Sequence, residues 1–561
     1  MTATYTVGDY LLDRLAELGV DRVFGVPGDY TLSLLDHVVA HDRLSWTGCT
    51  NELNAGYAAD GYGRLRGIAA LCTTFGVGEL SAINAVAGSW AEFVPVVHVV
   101  GAPSSTAQAA QRVVHHSLGD GVFTHFLDMH ADITCARAAL TAATATAEID
   151  RVLATVHARR LPGYLLLPVD VAELPVDPPA APLPAPVPVT DPIALKAFTE
   201  AARRLLAGAE DLAVLAGVLV QRLGAADRLA ELLGAGSVPY ASTLWGKSVV
   251  DESGPGYAGI YAGAASDPRT RAAIEEARVL VVAGVEFTDL NSGFFTQRLT
   301  RERTVELGPD TASVGAARFD RVALPDALER LTGLVRQRTR PGAVPVVPAA
   351  APTPAPVPVG TGPLSQESLW AAVAADIRPG DLVLADQGTS FYGLATHRLP
   401  PGVTFLGQPL WASIGWTLPA LLGAGLAEPG RRAVLVIGDG AAQMTATELS
   451  SVLRHGIPAT VVVVDNSGYT VERAIHGPDQ PYNDIDAWDW TLLPALCAPG
   501  AGTLVRRAAT ERELVEALAD ARTDPGRPAF LQALVPRLDV PPLLTTLAAA
   551  AAAANAARPA G

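Results

Sequence analysis

Cysteine is scarce: 561 residues hold four, Cys49, Cys72, Cys135 and Cys497, widely separated and in no metal-ligand spacing. That excludes a disulfide framework and a thiolate metal centre, fits a reducing compartment, and leaves each thiol to be read as a small buried hydrophobe. Positive charge is also short, with 41 Lys and Arg against 57 Asp and Glu, a net charge of −16. Nucleic acid and anionic membranes call for clustered cations, so both are excluded as partners and a small molecule is favoured. No apolar run reaches bilayer-spanning length, and the start, Met1-Thr2-Ala3-Thr4-Tyr5-Thr6, lacks a basic region followed by an apolar core. A cytoplasmic protein with neither membrane span nor secretory leader is expected.

Such a length exceeds what one hydrophobic core supports. Two proline-rich segments, about Pro175 to Pro192 and about Pro341 to Pro363, read as extended linkers. They leave domains at 1–175, 192–340 and 364–545, followed by an alanine-rich tail, 546–561, that can be helical and frays at its end. Apolar strand-like runs alternate with amphipathic stretches in each block. They are Arg22 to Val26, Ala69 to Thr73 and Val94 to Val100, then Asp211 to Ala216 and Arg278 to Gly284, then Asp381 to Ala385, Ala433 to Ile437 and Thr460 to Val464. Alternation of this kind gives an α/β fold with three doubly wound parallel sheets.

The richest stretch is Gly438-Asp439-Gly440, followed after 24 residues by Asp465-Asn466 and Ser467-Gly468-Tyr469-Thr470-Val471-Glu472. Two strands separated by a helix over Met444 to Arg454 bring both strand ends to one crevice through a right-handed crossover. A carboxylate, an amide oxygen and a backbone carbonyl are the hard ligands that Mg2+ accepts beside phosphate oxygens, so Asp439, Asn466 and Gly468 O are the expected metal ligands. The glycines of the turn admit a diphosphate, and the helix start favours its charge.

These blocks, continued by Arg473-Ala474-Ile475-His476-Gly477-Pro478, resemble the signature of thiamine-diphosphate-dependent 2-oxo acid decarboxylases, of the indolepyruvate, phenylpyruvate and branched-chain type. The resemblance runs from Tyr5 to about Leu547, and one departure is Asp465-Asn466 where the family usually has Asn-Asn. It implies aminopyrimidine-binding, central and diphosphate-binding domains in that order, and thiamine diphosphate with Mg2+ as cofactors.

It also implies roles. Glu52, in Cys49-Thr50-Asn51-Glu52, would hydrogen-bond the aminopyrimidine ring, and Asp29, His115, His116 and Glu472 would form the proton-transfer set. The cofactor would also meet Thr389, Gly440, Ala441, Asn466, Asp439, the carbonyl of Ala412 and the wedge residue Ile414. A histidine pair with carboxylates suits the reaction, because a proton must be delivered once carbon dioxide has left and the aldehyde must then be released.

Substrate choice is read at Gln387, Phe391 and Val471. Val471 leaves more room than the Ile of pyruvate-specific relatives and Phe391 narrows part of the space, which suits an aryl or branched chain, indolepyruvate or phenylpyruvate first. The alternative is a pyruvate decarboxylase or an acyloin-forming carboligase on the same scaffold. Glu52 and Asp439 come from different subunits in the family, so a homodimer is the expected minimum and a homotetramer the common form.

Overall fold

The computed structural model describes residues 4–184, 189–207, 211–236, 238–337 and 360–556. Most of the second proline-rich segment, residues 185–188 of the first and the last five residues of the tail lie outside the described residues. Two compact units emerge. One joins Met1–Val187 to Trp416–Gly430 and Thr445–Ile457; the other comprises Pro188–Gly415, Arg431–Met444 and Pro458–Gly561.

Among the described residues the strands form three sheets, as the alternation predicts. In the first unit β1 (Arg22–Gly25), β2 (Ser45–Gly48), β3 (Ala69–Thr74), β4 (Val96–Ala102), β5 (Ala136–Ala139) and β6 (Gly163–Pro168) lie in the order β2-β1-β3-β4-β6-β5. All pairs are parallel. The middle strands β3, β4 and β6 are buried at every residue, which explains their unbroken apolar sequence.

The central sheet uses β7 (Leu212–Ala216), β8 (Tyr240–Thr243), β9 (Tyr257–Tyr261), β10 (Val279–Ala283), β11 (Thr304–Leu307), β12 (Thr311–Val314) and β13 (Ala317–Asp320), ordered β13-β12-β11-β10-β7-β8-β9. Here the expectation of a purely parallel sheet needs correcting, because β11, β12 and β13 form an antiparallel meander. Only Gly315 and Ala316 separate β12 from β13, with Gly315 at φ +58°, and so short a link can only reverse the chain.

The third sheet is again wholly parallel: β14 (Leu382–Ala385), β15 (Thr404–Leu406), β16 (Ala433–Gly438), β17 (Ala459–Asp465), β18 (Leu504–Ala508) and β19 (Ala529–Leu534), ordered β15-β14-β16-β17-β19-β18. Strand order reverses between β14 and β16, and in the first sheet between β1 and β3. Crossovers leave such a point in opposite directions and open a crevice beyond the carboxyl ends of the strands.

The segment after β16 differs from its expected form. Helix begins at Asp439 rather than near Met444, runs to Thr445, passes through a 3-10 turn at Ala446–Glu448 and resumes over Leu449–Arg454. Thr445 leaves helical geometry (φ −134°, ψ 13°), and the interruption coincides with the change of compact unit between Met444 and Thr445. Within the first unit, helix Thr417–Ala427 packs along helix Glu52–Arg66 at close range. A Cβ on Gly61 would stand 2.4 Å from Ala420 O, and one on Gly423 would stand 1.8 Å from Ala58 O.

Buried polar groups register these two helices. Asp60 accepts from Trp416 Nε1 at 3.0 Å, from Ser89 Oγ at 2.8 Å and from Arg64 Nε at 2.7 Å, while the Arg64 guanidinium lies over the Trp416 ring. Of the cysteines, Cys72 is buried as expected; Cys49, Cys135 and Cys497 are only partly so, and all four are free thiols.

Candidate active site

Residues that follow β14, β16 and β17 converge on a cavity of about 280 Å3 in the second unit. Gln387 and Gly388 come from the turn after β14 and Thr389 from the start of the helix that follows it, Asp439, Gly440 and Ala441 from the helix after β16, and Asn466, Gly468, Val471 and Glu472 from the segment after β17. Ala412 and Ile414 line it too, Ala412 in a left-handed backbone conformation (φ +58°). Every residue expected around the diphosphate and thiazolium thus lies on one surface, Glu52 being in the other unit.

In the cavity lining Asp439 is 2% exposed and accepts three backbone N–H groups: Gly440 at 2.7 Å, Asn466 at 3.2 Å and Gly468 at 3.1 Å. Burial nonetheless pushes its carboxyl up to about 7, and the neighbouring Asp465 carboxylate adds to the shift. One end of the Asn466 amide stands 2.8 Å from Gly468 O and 3.2 Å from Asp439 Oδ1, the other 3.1 Å from Thr470 Oγ1. With the amide oxygen on the first end, three oxygens face one another, an arrangement that a small hard cation relieves. With the amide turned over, its NH2 bridges the same two oxygens. Asp465 points elsewhere, accepting from Gln532 Nε2 at 2.7 Å.

Gly468 cannot be another residue here. Its φ is +129°, and a Cβ would stand 2.1 Å from Asn483 O. Part of the cavity wall is apolar, built from Leu290, Val471, Ile475 and, on helix Pro542–Ala556, Leu544, Leu547, Ala548 and Ala551. Gln387 Nε2 donates to Tyr392 Oη at 2.8 Å, and Tyr392 lines the cavity.

Phe391, expected on that wall, is instead 1% exposed in the core against Phe405. Successive residues of helix Thr389–Ala395 project about 100° apart, so with Tyr392 toward the cavity Phe391 faces away.

The first unit assembles a second group beyond β1, β2 and β4. Asp29, His115 and His116 each bring a ligand-capable atom within 4.8 Å of the others. His115 Nε2 lies 2.7 Å from Asp29 Oδ2, so that nitrogen carries the shared proton, and the ring stacks on Tyr30 at 4.9 Å. His115 and His116 rings meet edge to face at 4.7 Å. His116 has a left-handed backbone (φ +64°) and abuts Gly76, whose own φ is +64° and whose Cβ would strike His116 O at 2.0 Å. Glu52 opens helix Glu52–Arg66, capped by Asn51 accepting from Asn54 N at 2.8 Å. Gly78, lacking a Cβ, leaves space beside Glu52 Oε1.

One carboxyl escaped sequence reasoning. Glu79 is fully buried, accepts from Gly76 N at 2.9 Å and from Tyr164 Oη at 2.6 Å, and burial pushes it up to about 7. It holds the turn that abuts His116. The capping position three residues after Gly76 was the available signal.

Known proteins resemble the chain along its length. Residues 5–129 match the family "Thiamine pyrophosphate enzyme, N-terminal TPP binding domain", residues 199–333 its central domain and residues 386–533 its C-terminal TPP binding domain. A protein of Mycobacterium leprae named alpha-keto-acid decarboxylase is 56% identical over 545 residues, covering 97% of this chain and 95% of its own. Proteins of the same name from Mycolicibacterium paratuberculosis and Mycobacterium tuberculosis H37Rv are each 55% identical, covering 97% of this chain and 96% of theirs. Matches across all three sheets, and relatives alike from end to end, show that the chain belongs to the thiamine-diphosphate-dependent 2-oxo acid decarboxylases.

Proposed function

We propose that the enzyme decarboxylates an aryl or branched-chain 2-oxo acid, indolepyruvate or phenylpyruvate first, to the aldehyde and carbon dioxide, with Mg2+ anchoring thiamine diphosphate. The observation that carries the substrate reading is the apolar part of the cavity wall, Leu290, Val471, Ile475, Leu544, Leu547 and Ala548, which shares the cavity with the polar residues named above. A ring buries against such a wall; a methyl group leaves it largely unfilled.

Asp439, Asn466 and Gly468 O would hold the ion and through it the diphosphate, with Thr389, Gly440 and Ala441 alongside. Ala412 O would accept from the aminopyrimidine amine, and Ile414 would hold the two rings apart. Bound there, thiamine diphosphate supplies the carbanion and electron sink that the chain itself lacks. Glu52 would share a proton with the aminopyrimidine ring. Glu472, on the cavity wall next to Val471, would face the substrate carboxylate.

Asp29, His115 and His116 would store and deliver the proton that replaces carbon dioxide. The Asp29 carboxylate would orient the His115 ring through the contact at Nε2, and Tyr30, stacked on it, would fix the ring plane. In this reading Glu52, Asp29 and the histidines of one protomer serve the diphosphate-binding residues of its partner, making a homodimer the smallest active form, in the cytoplasm.

The test is a coupled aldehyde assay comparing kcat/KM for indolepyruvate, phenylpyruvate, 4-methyl-2-oxopentanoate and pyruvate. An aryl substrate should lead by about tenfold or more, and Val471→Ile should shift preference toward small acids. Pyruvate emerging as the best substrate would move the assignment to pyruvate decarboxylase.

A further inference from the structure

The segment that presents Asn466 and Gly468 has little regular structure of its own, yet its oxygens are fixed. Ser467 and Gly468 both have positive φ, +60° and +129°, and helix resumes only at Thr470. What holds them is one side chain. The Arg473 guanidinium is 1% exposed, and its two terminal nitrogens divide the surroundings between them. Nη1 donates to Asn466 O at 3.0 Å, Thr470 Oγ1 at 3.3 Å and Arg537 O at 3.4 Å. Nη2 donates to Ser467 O at 2.6 Å, Asn483 O at 3.1 Å and Asp484 Oδ1 at 2.7 Å.

Two of three consecutive carbonyls, those of Asn466 and Ser467, therefore point into the guanidinium. The third, Gly468 O, is left facing the Asn466 amide beside Asp439. A planar fork with several donors can satisfy carbonyls from three chain segments at once; an ammonium cannot. Asn483 O completes the clamp, being both an acceptor of Nη2 and the atom against which Gly468 packs. The buried positive charge is answered by Asp484, so the guanidinium does not oppose a cation at Asp439.

We propose that Arg473 is a positioning residue whose clamp on the Asn466–Gly468 segment sets the affinity for the divalent ion, and with it the loading of thiamine diphosphate, without taking part in turnover. The inference rests on the metal site of the proposed function. Residues one shell outside metal ligands typically change affinity by about 10- to 100-fold when replaced.

The test uses the full chain stripped of ions and cofactor. Mg2+ binding is followed by equilibrium dialysis at saturating thiamine diphosphate with no substrate present, and kcat is measured separately at saturating Mg2+. Arg473→Lys keeps the charge and loses the fork; it should raise the half-saturating Mg2+ about tenfold or more while kcat stays within about threefold of wild type. Asp484→Asn, at a half-exposed position, leaves the buried cation unneutralised and should shift the same midpoint in the same direction. Should Arg473→Lys fail to fold, Asp484→Asn decides alone. An unchanged midpoint in a folded variant overturns the proposal. Wild-type protein that loads thiamine diphosphate without any divalent ion would instead overturn the metal site itself.

Discussion

Asp29 and His115 are 86 residues apart in the chain, yet the carboxylate and the ring nitrogen meet at 2.7 Å. Both are half-exposed, so little folding energy rests on the pair, and a contact of that length between exposed groups is more informative about chemistry than about stability. Asp29→Asn keeps the size and an acceptor but removes the carboxylate that meets His115 Nε2. We expect the far-UV circular dichroism and cofactor loading to stay as in wild type, while kcat for aldehyde formation falls about 100- to 1000-fold.

Gly468→Ala places a methyl group where Asn483 O already stands, on a backbone that side chains avoid. Left-handed strain of this kind costs on the order of 1–3 kcal/mol, and relief requires moving the carbonyl proposed to bind the ion. The variant should lose thiamine diphosphate on gel filtration under conditions in which wild type retains it, and should melt at lower temperature.

Glu79 gives a pH prediction. Its carboxyl is raised from 4.5 to about 7 in the folded protein, so the folded state holds the proton more tightly than the unfolded chain. The stability associated with that proton is fully present below about pH 4.5 and is lost as pH rises through about 7. Glu79→Gln keeps the shape and the acceptor for Gly76 N but cannot ionise. Urea unfolding at about pH 5 and about pH 8 should show the variant gaining on wild type at the higher pH, by at most roughly 3 kcal/mol. Equal differences at the two pH values would mean that Glu79 ionises freely.

Ala548 is 2% exposed on helix Pro542–Ala556 and lines the apolar wall. Ala548→Leu fills space that an aryl side chain is proposed to use, and overpacking of this size costs about 1–3 kcal/mol. The expected result is a loss of tenfold or more in kcat/KM for indolepyruvate with pyruvate changed much less. A uniform loss for both acids would place the ring elsewhere.

The fold was legible wherever a strand is buried on both faces. The runs at Ala69 and Ala433 carry no alternation to misread, and the structure extends each by one residue. The meander β11 to β13 was not legible, because its strands are four residues long and partly exposed, with no apolar run to mark them. Around the cavity, the meeting of Asp439, Asn466 and Gly468 could be read because they lie on short local segments at the ends of adjacent strands. Arg473 could not, since its main partners are backbone oxygens, which leave no trace in side-chain chemistry. Tyr392 and Phe391 are neighbouring aromatic residues in a helix buried throughout, so periodicity offers nothing to say which one turns to the cavity.

Helix Thr417–Ala427 lies far along the chain from helix Glu52–Arg66, yet the two share the buried Asp60, Arg64 and Trp416 cluster. Modularity in this protein is consequently not contiguous. A chimera that transplants only the first 175 residues would carry Asp60 and Arg64 into solvent or into a foreign surface without the indole donor that satisfies one and covers the other. It would also expose the glycine and alanine faces cut to fit a missing partner. Exchange of specificity between relatives is therefore better made by replacing side chains around the cavity than by moving whole sequence blocks, and the natural cut points are those of the compact unit, after Val187 and on either side of 416–430 and 445–457.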